Sequence, residues 1–313
     1  MDPWHALGGF AGLGHARLRR VNTTAAGEPI EICARVGGAG PPLLMLHGFP
    51  QTHAMWRRVA ERLAPHFTLV CADLRGYGDS TKPADDPDHV EHSKRAMAAD
   101  MRALMRSLGH ERFGVVAHDR GARVAHRLAL DHPGAVTRLV LVDIVPTLDM
   151  YERADRAFAT AYYHWFHLIQ PAPLPERMIA GDWRFYLHRK LAGWGSGGLA
   201  PFEPAALAEY ERAFADPATV HAVCEDYRAS AGIDLEHDRA SRAMGAKVAC
   251  LLHVLWGERG VIHRLYEPLA MWRAQCTGPV TGRALPAGHY LAEELPEETA
   301  AEVLGFFGVG SPT

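Results

Sequence analysis

The chain has 313 residues, 48% hydrophobic and 22% charged, with a formal net charge of −3 at pH 7. That allows one large α/β domain with an insertion, or two ordinary domains, and a substantial buried core. The near-balanced charge offers no surface for nucleic acid or for a membrane. Five cysteines, at positions 33, 71, 224, 250 and 276, form no CxxC pair, which fits reduced thiols in a cytoplasm. The N-terminal MDPWHALGGFAGLGHARLRR lacks a basic segment followed by an apolar run, so it does not read as a secretory leader. No apolar stretch approaches the ~20 residues needed to span a bilayer. The glycine cluster GGFAGLG precedes the first strand instead of following one, which is the wrong context for a phosphate loop.

Pro41 to Gly48, PPLLMLHG, is a short continuous apolar run ended by a turn, the pattern of a strand buried on both faces. A helix is expected around Ala54 to Leu63, then FTLVCADL as a strand with RGYGDS as its turn, then a helix from Ser93 to Leu108. FGVVAH reads as a strand, GARVAHRLALDHP as a helix closed by Pro133, and VTRLVLVD as a further strand. This alternation predicts an α/β fold with a mostly parallel central sheet and helices on both faces. From about Leu148 to Met244 the pattern turns helical and aromatic-rich, broken at QPAPLP and GWGSGG, before strand signal returns at KVACLLHVLWG and PVTGRALP. Residues 1–147 and 245–313 are therefore expected to form the core domain. Residues 148–244 are expected to form an inserted helical cap over the carboxyl ends of the strands, where open α/β sheets bind ligands.

The stretch VVAHDRGARVAH, Val115 to His126, puts Asp119 where a strand–turn–helix elbow carries its nucleophile. Such an elbow is sharply bent and crowded, and needs small residues on either side; Ala117 and Gly121 stand there. The plainer role for Asp119 is a helix cap. Two arginines count against that role alone. The first turn of a helix carries partial positive charge, so cations there cost ~0.3–1 kcal/mol. Yet Arg120 and Arg123 both fall in that region, three apart and able to share a face. A site for an anionic substrate accounts for both, since an arginine fork matches a carboxylate. Asp143 ends the strand after the elbow helix, and His289 lies in LPAGHYLAEELP past the last strand. LWGERGVIH holds no aspartate for the acid position, which leaves Asp143. The loop LHGFP brings the Phe49 N–H, which with that of Arg120 could form an oxyanion hole. His164 and His167 could share a helix face as metal ligands, but the sequence clusters no third ligand with them.

The order nucleophile, acid, histidine is that of α/β-hydrolases. Over nearly its whole length the chain resembles the fluoroacetate (haloacetate) dehalogenase family of that fold. HGFPQTHAMW, DLRGYGDS, AHDRGAR, VDIVPT, YHWFHLIQPAPLPE, EDYRA and AGHYLAEE all correspond, with Ala117 where the elbow usually has glycine. HDRGAR together with YHW is the specific part. The resemblance implies that Asp119 attacks the halogen-bearing carbon of a small haloacid and becomes an ester, while Arg120 and Arg123 hold the substrate carboxylate. It places the departing halide on His164, Trp165 and Tyr227, and makes Trp194 a pocket wall. His289, oriented by Asp143, would then activate water against the ester. No metal or organic cofactor is called for; a cytoplasmic homodimer is expected.

Periodicity by itself reads Phe158, Ala161, Tyr162, Trp165, Leu168 and Ile169 as core. A leaving halide, however, needs N–H and O–H donors where its charge develops, and His164, Trp165 and Tyr227 are such donors. The nearest alternative is an epoxide hydrolase, which shares the aspartate elbow and would use Tyr162, Tyr163 or Tyr227 as acids. That family usually carries tryptophan directly after the aspartate, and a neutral epoxide has no use for Arg120. A haloalkane dehalogenase fails on the same residue. The intact set Asp119, Asp143 and His289 counts against a non-catalytic binding protein on this fold.

Overall fold

The computed structural model describes Phe10, residues 13–14 and residues 17–309. The glycine cluster and the segment read as lacking a leader therefore fall mostly outside the described residues.

Eight strands form one sheet: β1 (Arg17–Thr23), β2 (Pro29–Gly38), β3 (Pro42–Leu46), β4 (Thr68–Ala72), β5 (Phe113–His118), β6 (Val136–Val142), β7 (Leu251–Gly257) and β8 (Val280–Leu285). Their order across the sheet is β1-β2-β4-β3-β5-β6-β7-β8. The six strands from β3 to β8 run parallel, while β2 pairs antiparallel with both β1 and β4. The chain is an α/β-hydrolase fold.

The apolar runs became parallel strands because helices cover both faces and leave no room for a polar side. Every residue of β5 is buried. After β3, β4 and β5 come α1 (Arg57–Leu63), α2 (Lys94–Ser107) and α3 (Asp119–Asp131). The turn before α1, His53–Trp56, is 3₁₀ and is capped by the Thr52 side chain. α3 begins at Asp119 itself, two residues before the expected start at Gly121. Ala122, Val124, Ala125 and Leu128 of α3 are fully buried with the β3 and β5 side chains.

Between β6 and β7 the chain is helical throughout: α4 (Thr147–Glu152), α5 (Arg156–Ala161), α6 (His164–His167), α7 (Leu174–Gly181), α8 (Trp183–Leu191), α9 (Pro204–Phe214), α10 (Pro217–Ala231) and α11 (Ile233–Ala243). The Pro and Gly breaks fall before α7 and between α8 and α9. α12 (Val261–Leu265) and α13 (Pro268–Ala274) follow β7, and α14 (Leu291–Glu294) and α15 (Pro296–Phe307) follow β8. Among the described residues no helix is long and apolar enough to cross a membrane, and all five cysteines are free thiols.

β3 lies beside β5, and the chain leaves β3 toward β4 on one side and β5 toward β6 on the other. Such a switch point opens a crevice where loops can converge on a ligand.

Candidate active site

The elbow is built by close backbone approach. Asp119 follows β5 with φ 44°, in the left-handed region that non-glycine residues rarely enter. A Cβ on Gly121 would lie 2.3 Å from His47 O, and one on Gly48 would lie 2.4 Å from Asp119 Cβ. The small residues therefore let the loop after β3 touch the nucleophile position directly. Its Phe49 N–H donates to Asp119 Oδ1 at 3.0 Å.

Asp143 follows β6, also in the left-handed region at φ 54°. Its N–H donates to Leu255 O at 2.7 Å, and its Oδ1 accepts from the Gly257 N–H at 3.0 Å. Its Oδ2 is 2.5 Å from His289 Nδ1. With Nδ1 committed to a carboxylate, Nε2 is the nitrogen left for proton transfer. The His289 loop is fixed from behind: the His289 N–H donates to Trp194 O at 3.1 Å, and His118 Nε2 lies 2.9 Å from His289 O. A Cβ on Gly288 would sit 2.2 Å from the Gly195 carbonyl carbon, so this loop packs against the turn carrying Trp194.

The electrostatics separate the groups. Burial by itself would raise the Asp119 carboxyl, but the charges of His289 and Arg123, with that of Arg120, outweigh it and hold the group below its ordinary value. Burial by itself would lower His289, but the Asp143 hydrogen bond and charge, with the Asp119 charge, raise it. Burial, then His289, pushes His118 down to about 3, and burial, then Lys190 and Arg120, keeps His164 well below the ordinary imidazole value. Both are neutral at pH 7.

Asp119, Asp143 and His289 share one cavity with Phe49, Arg123, Tyr162, His164, Trp165, Trp194 and Tyr227. It holds about 10 Å³ for the centre of a water-sized sphere, roughly what one water needs. Its walls are closed: Asp119 is 9% exposed and His164, Trp165, Tyr227 and His289 are 2% or less. The rings interlock, with His164 4.9 Å from Trp194, 5.5 Å from Tyr227 and stacked 5.7 Å from Phe49, centroid to centroid. The Trp194 indole N–H is given to Ala161 O at 3.2 Å, so Trp194 is a wall and no donor.

The two arginines have different surroundings. Arg123 lines the cavity, its guanidinium 4.8 Å from the Trp165 ring centre. It donates to Thr147 Oγ1 at 2.8 Å and Val145 O at 3.3 Å, and its buried Nε has no partner. Arg120 does not appear on the cavity wall. Its Nε and Nη2 form a fork on Asp226, each bond 2.8 Å, and Nη2 also donates to Ser230. Only Nη1, buried and 4.0 Å-stacked with the rest of the group on Tyr227, lacks a partner. The expected shared face thus becomes one arginine on the cavity and one held mainly by the protein.

Asp226 is what the sequence reading missed. It lies in EDYRA, beside Tyr227, and joins Arg120, Lys94 and the Tyr77 hydroxyl in a fully buried network. An acid next to an aromatic position on a helix, opposite buried cations, was the available signal. Tyr162 was read from spacing as core and faces the cavity.

A family model for the α/β-hydrolase fold matches residues 41–176. The chain is 48% identical over 265 residues to a fluoroacetate dehalogenase of a Burkholderia species, covering 85% of this chain and 86% of that one. It is 32% identical over 277 residues to a soluble epoxide hydrolase of Corynebacterium sp. (strain C12), covering 86% and 91%. The crystal structure of an α/β hydrolase from Nostoc sp. PCC 7120 superposes with a TM-score of 0.88 at 52% identity, covering 93% of this chain and 98% of that one. With 48% identity sustained over most of both sequences, the chain belongs to the fluoroacetate dehalogenase family of the α/β-hydrolase fold, hydrolases acting on carbon–halogen bonds.

Proposed function

We propose that this chain hydrolyses haloacetate, or a closely related short 2-haloacid, to the 2-hydroxy acid and halide through an ester on Asp119. Residues 148–244 act as the lid that supplies the far wall of the site. The observation that carries the reading is Arg123: a buried guanidinium on the wall of the Asp119 cavity, with no carboxylate within 4.0 Å among the described residues. Asp119 acts on this cation only across the cavity, and an anionic substrate would give it a carboxylate in direct contact. Arg123 Nε and Arg120 Nη1 are the buried N–H groups left to receive its carboxylate.

In the first step a carboxylate oxygen of Asp119 attacks the halogen-bearing carbon, the carbon–halogen bond breaks, and the halide leaves with the electron pair. A carboxylate held in line avoids much of the entropy cost of encounter. His164, Trp165 and Tyr227 face the cavity as N–H and O–H donors for the departing charge. In the second step His289 Nε2 takes a proton from water, which attacks the ester carbonyl carbon of Asp119. The oxyanion forms on Oδ1, which already accepts the Phe49 N–H. The Arg120 N–H, in the first turn of α3, has no intrahelical acceptor and is the second candidate donor. Collapse breaks the bond to the ester oxygen, which leaves as the hydroxyl of the product with the proton held on His289, and the new Asp119 carboxyl loses its own proton to solvent to restore the carboxylate.

One observation favours the epoxide hydrolase reading: Tyr162 and Tyr227 both line the cavity with phenols that burial keeps protonated. Arg123 weighs against it, because a neutral epoxide offers this buried cation no carboxylate in direct contact. Halide release from fluoro-, chloro- and bromoacetate, run beside diol formation from a small terminal epoxide, tests the choice. Turnover of the haloacetates and not of the epoxide is expected; the reverse overturns the proposal.

A further inference from the structure

A second cluster of metal-ligating side chains lies where the loop before α2 meets α10. His92 is fully buried there, and neither of its ring nitrogens has a hydrogen-bond partner. One of those nitrogens, one Asp85 oxygen and one Glu225 oxygen all lie within 4.8 Å of one another. Ligands of one tetrahedral ion sit about 3.3–3.6 Å apart when bonds are ~2.0–2.2 Å, so side-chain rotations that close these separations by about 1 Å bring all three onto one ion.

The surroundings are anionic. Glu176 and Glu225 share one guanidinium, that of Arg228, which lies 2.6 Å from Glu225 Oε1 and 2.8 Å from Glu176 Oε1, and Asp85 stands beside them. Asp85 and Glu176 also hold His221 between them and raise it above the ordinary imidazole value, so three carboxylates share one guanidinium and one titratable imidazole. Glu176 Oε2 is also buried without a partner. Two further imidazoles stand at the rim, His221 Nε2 at 2.8 Å from both Asp85 oxygens and His89 Nδ1 at 2.5 Å from Glu225 Oε2. A groove of about 710 Å³, lined by Asp85, His89, Glu225 and Arg228, connects the cluster to solvent. A neutral imidazole carries one N–H donor and one acceptor, and leaving both buried without partners is destabilising. Coordination gives one of them a partner and adds positive charge to a carboxylate-rich cluster.

We infer that Asp85, His92 and Glu225 form a site for one divalent transition cation of the zinc type. The buried imidazole selects against the hard, all-oxygen cations calcium and magnesium. The ion would act structurally. None of its ligands lines the catalytic cavity, but Glu225 is followed on α10 by Asp226, which holds Arg120, and by Tyr227 on the cavity wall. It would therefore pin α10 to the loop before α2.

The test uses the full chain without an affinity tag, freed of metal by a chelator and titrated with Co²⁺ and then Zn²⁺. One Co²⁺ per chain is expected, with visible d–d absorption of an N/O site, displacement by Zn²⁺, and a rise in unfolding temperature on Zn²⁺ addition. Asp85→Asn, on an exposed side chain that threatens folding least, and His92→Gln should each weaken Co²⁺ binding more than ~10-fold, the lower end for loss of a mere supporting group. Absence of stoichiometric Co²⁺ binding by the parent chain overturns the site. So does parent-like binding by the folded Asp85→Asn chain, or stabilisation by Ca²⁺ with none by Zn²⁺.

Discussion

Replacing Arg120 and Arg123 one at a time should damage different properties of the protein. Arg120 supports Asp226 through two 2.8 Å bonds in a fully buried network. Removing one partner of a buried pair costs ~3–5 kcal/mol. Asp226 would keep Lys94 and the Tyr77 hydroxyl at 2.6 Å, so Arg120→Met belongs at the lower end, about 3 kcal/mol. At roughly 2–3 °C per kcal/mol for a chain of this size, the unfolding temperature should drop by about 6–9 °C. Arg123→Met orphans no carboxylate and forfeits hydrogen bonds to Thr147 and Val145, about 1 kcal/mol each at most. Its stability loss should be at most about two-thirds as large. Its catalytic loss should be the greater: kcat/KM for haloacetate should fall by ~2–4 kcal/mol, on the order of 30–1000-fold, for a lost charge pair in a closed site. The assays are thermal unfolding by circular dichroism and halide release under kcat/KM conditions. Equal unfolding temperatures for parent and Arg120→Met would refute the network argument. Turnover within about 3-fold of the parent for Arg123→Met would refute the anion clamp.

Three other outcomes follow from the same geometry. His289→Asn should release about one halide per site and stall, with mass spectrometry finding a hydroxyacyl ester on the Asp119 peptide; a folded variant that binds substrate yet shows no burst would place the histidine in the first step. Because ester hydrolysis needs neutral His289, and Asp143 raises that imidazole against the effect of burial, its rate should rise with pH through a midpoint set by this pairing. Esterification removes the Asp119 charge but leaves the larger Asp143 contributions, so Asp143→Asn should move that midpoint downward; an unmoved midpoint in single-turnover hydrolysis counts against the pairing. In Trp165→Phe and Tyr227→Phe, fluoride release should slow more than bromide release, since fluoride concentrates charge and leans harder on donors; an unchanged ratio in both would return these side chains to a packing role.

The sequence made the parallel strands legible because burial on both faces writes them as unbroken apolar runs, as in β3 and β5. The antiparallel pair β1 and β2 went unread. RLRRVNT in β1 is polar, but β2 alternates, with Ile30, Ile32 and Ala34 buried, and that period of two was there to be seen. Asp119, Asp143 and His289 were legible from position relative to strand ends, since the fold fixes where such ends meet. The separation of Arg120 from Arg123 was not. It depends on Asp226, 106 residues further along, and no local pattern encodes which of two neighbouring arginines a distant helix will claim. Spacing read Tyr162 and Trp165 as core, and both are buried there, but it could not show that they also line the cavity, because a helix face over a closed cavity has the same apolar period as one over packed core.

The hydrogen bond from the Phe49 N–H to Asp119 Oδ1 makes the two carboxylate oxygens chemically distinct before any substrate arrives. If the unheld oxygen attacks, it departs in the product hydroxyl and an oxygen from water takes its place in the protein. The enzyme would then carry an isotopic record of its own history. In heavy-oxygen water the first hydroxy acid released would be light and Asp119 heavy, with label appearing in product only from the second turnover onward. Product labelled in a single turnover would mean that water, and no side chain, meets the substrate carbon.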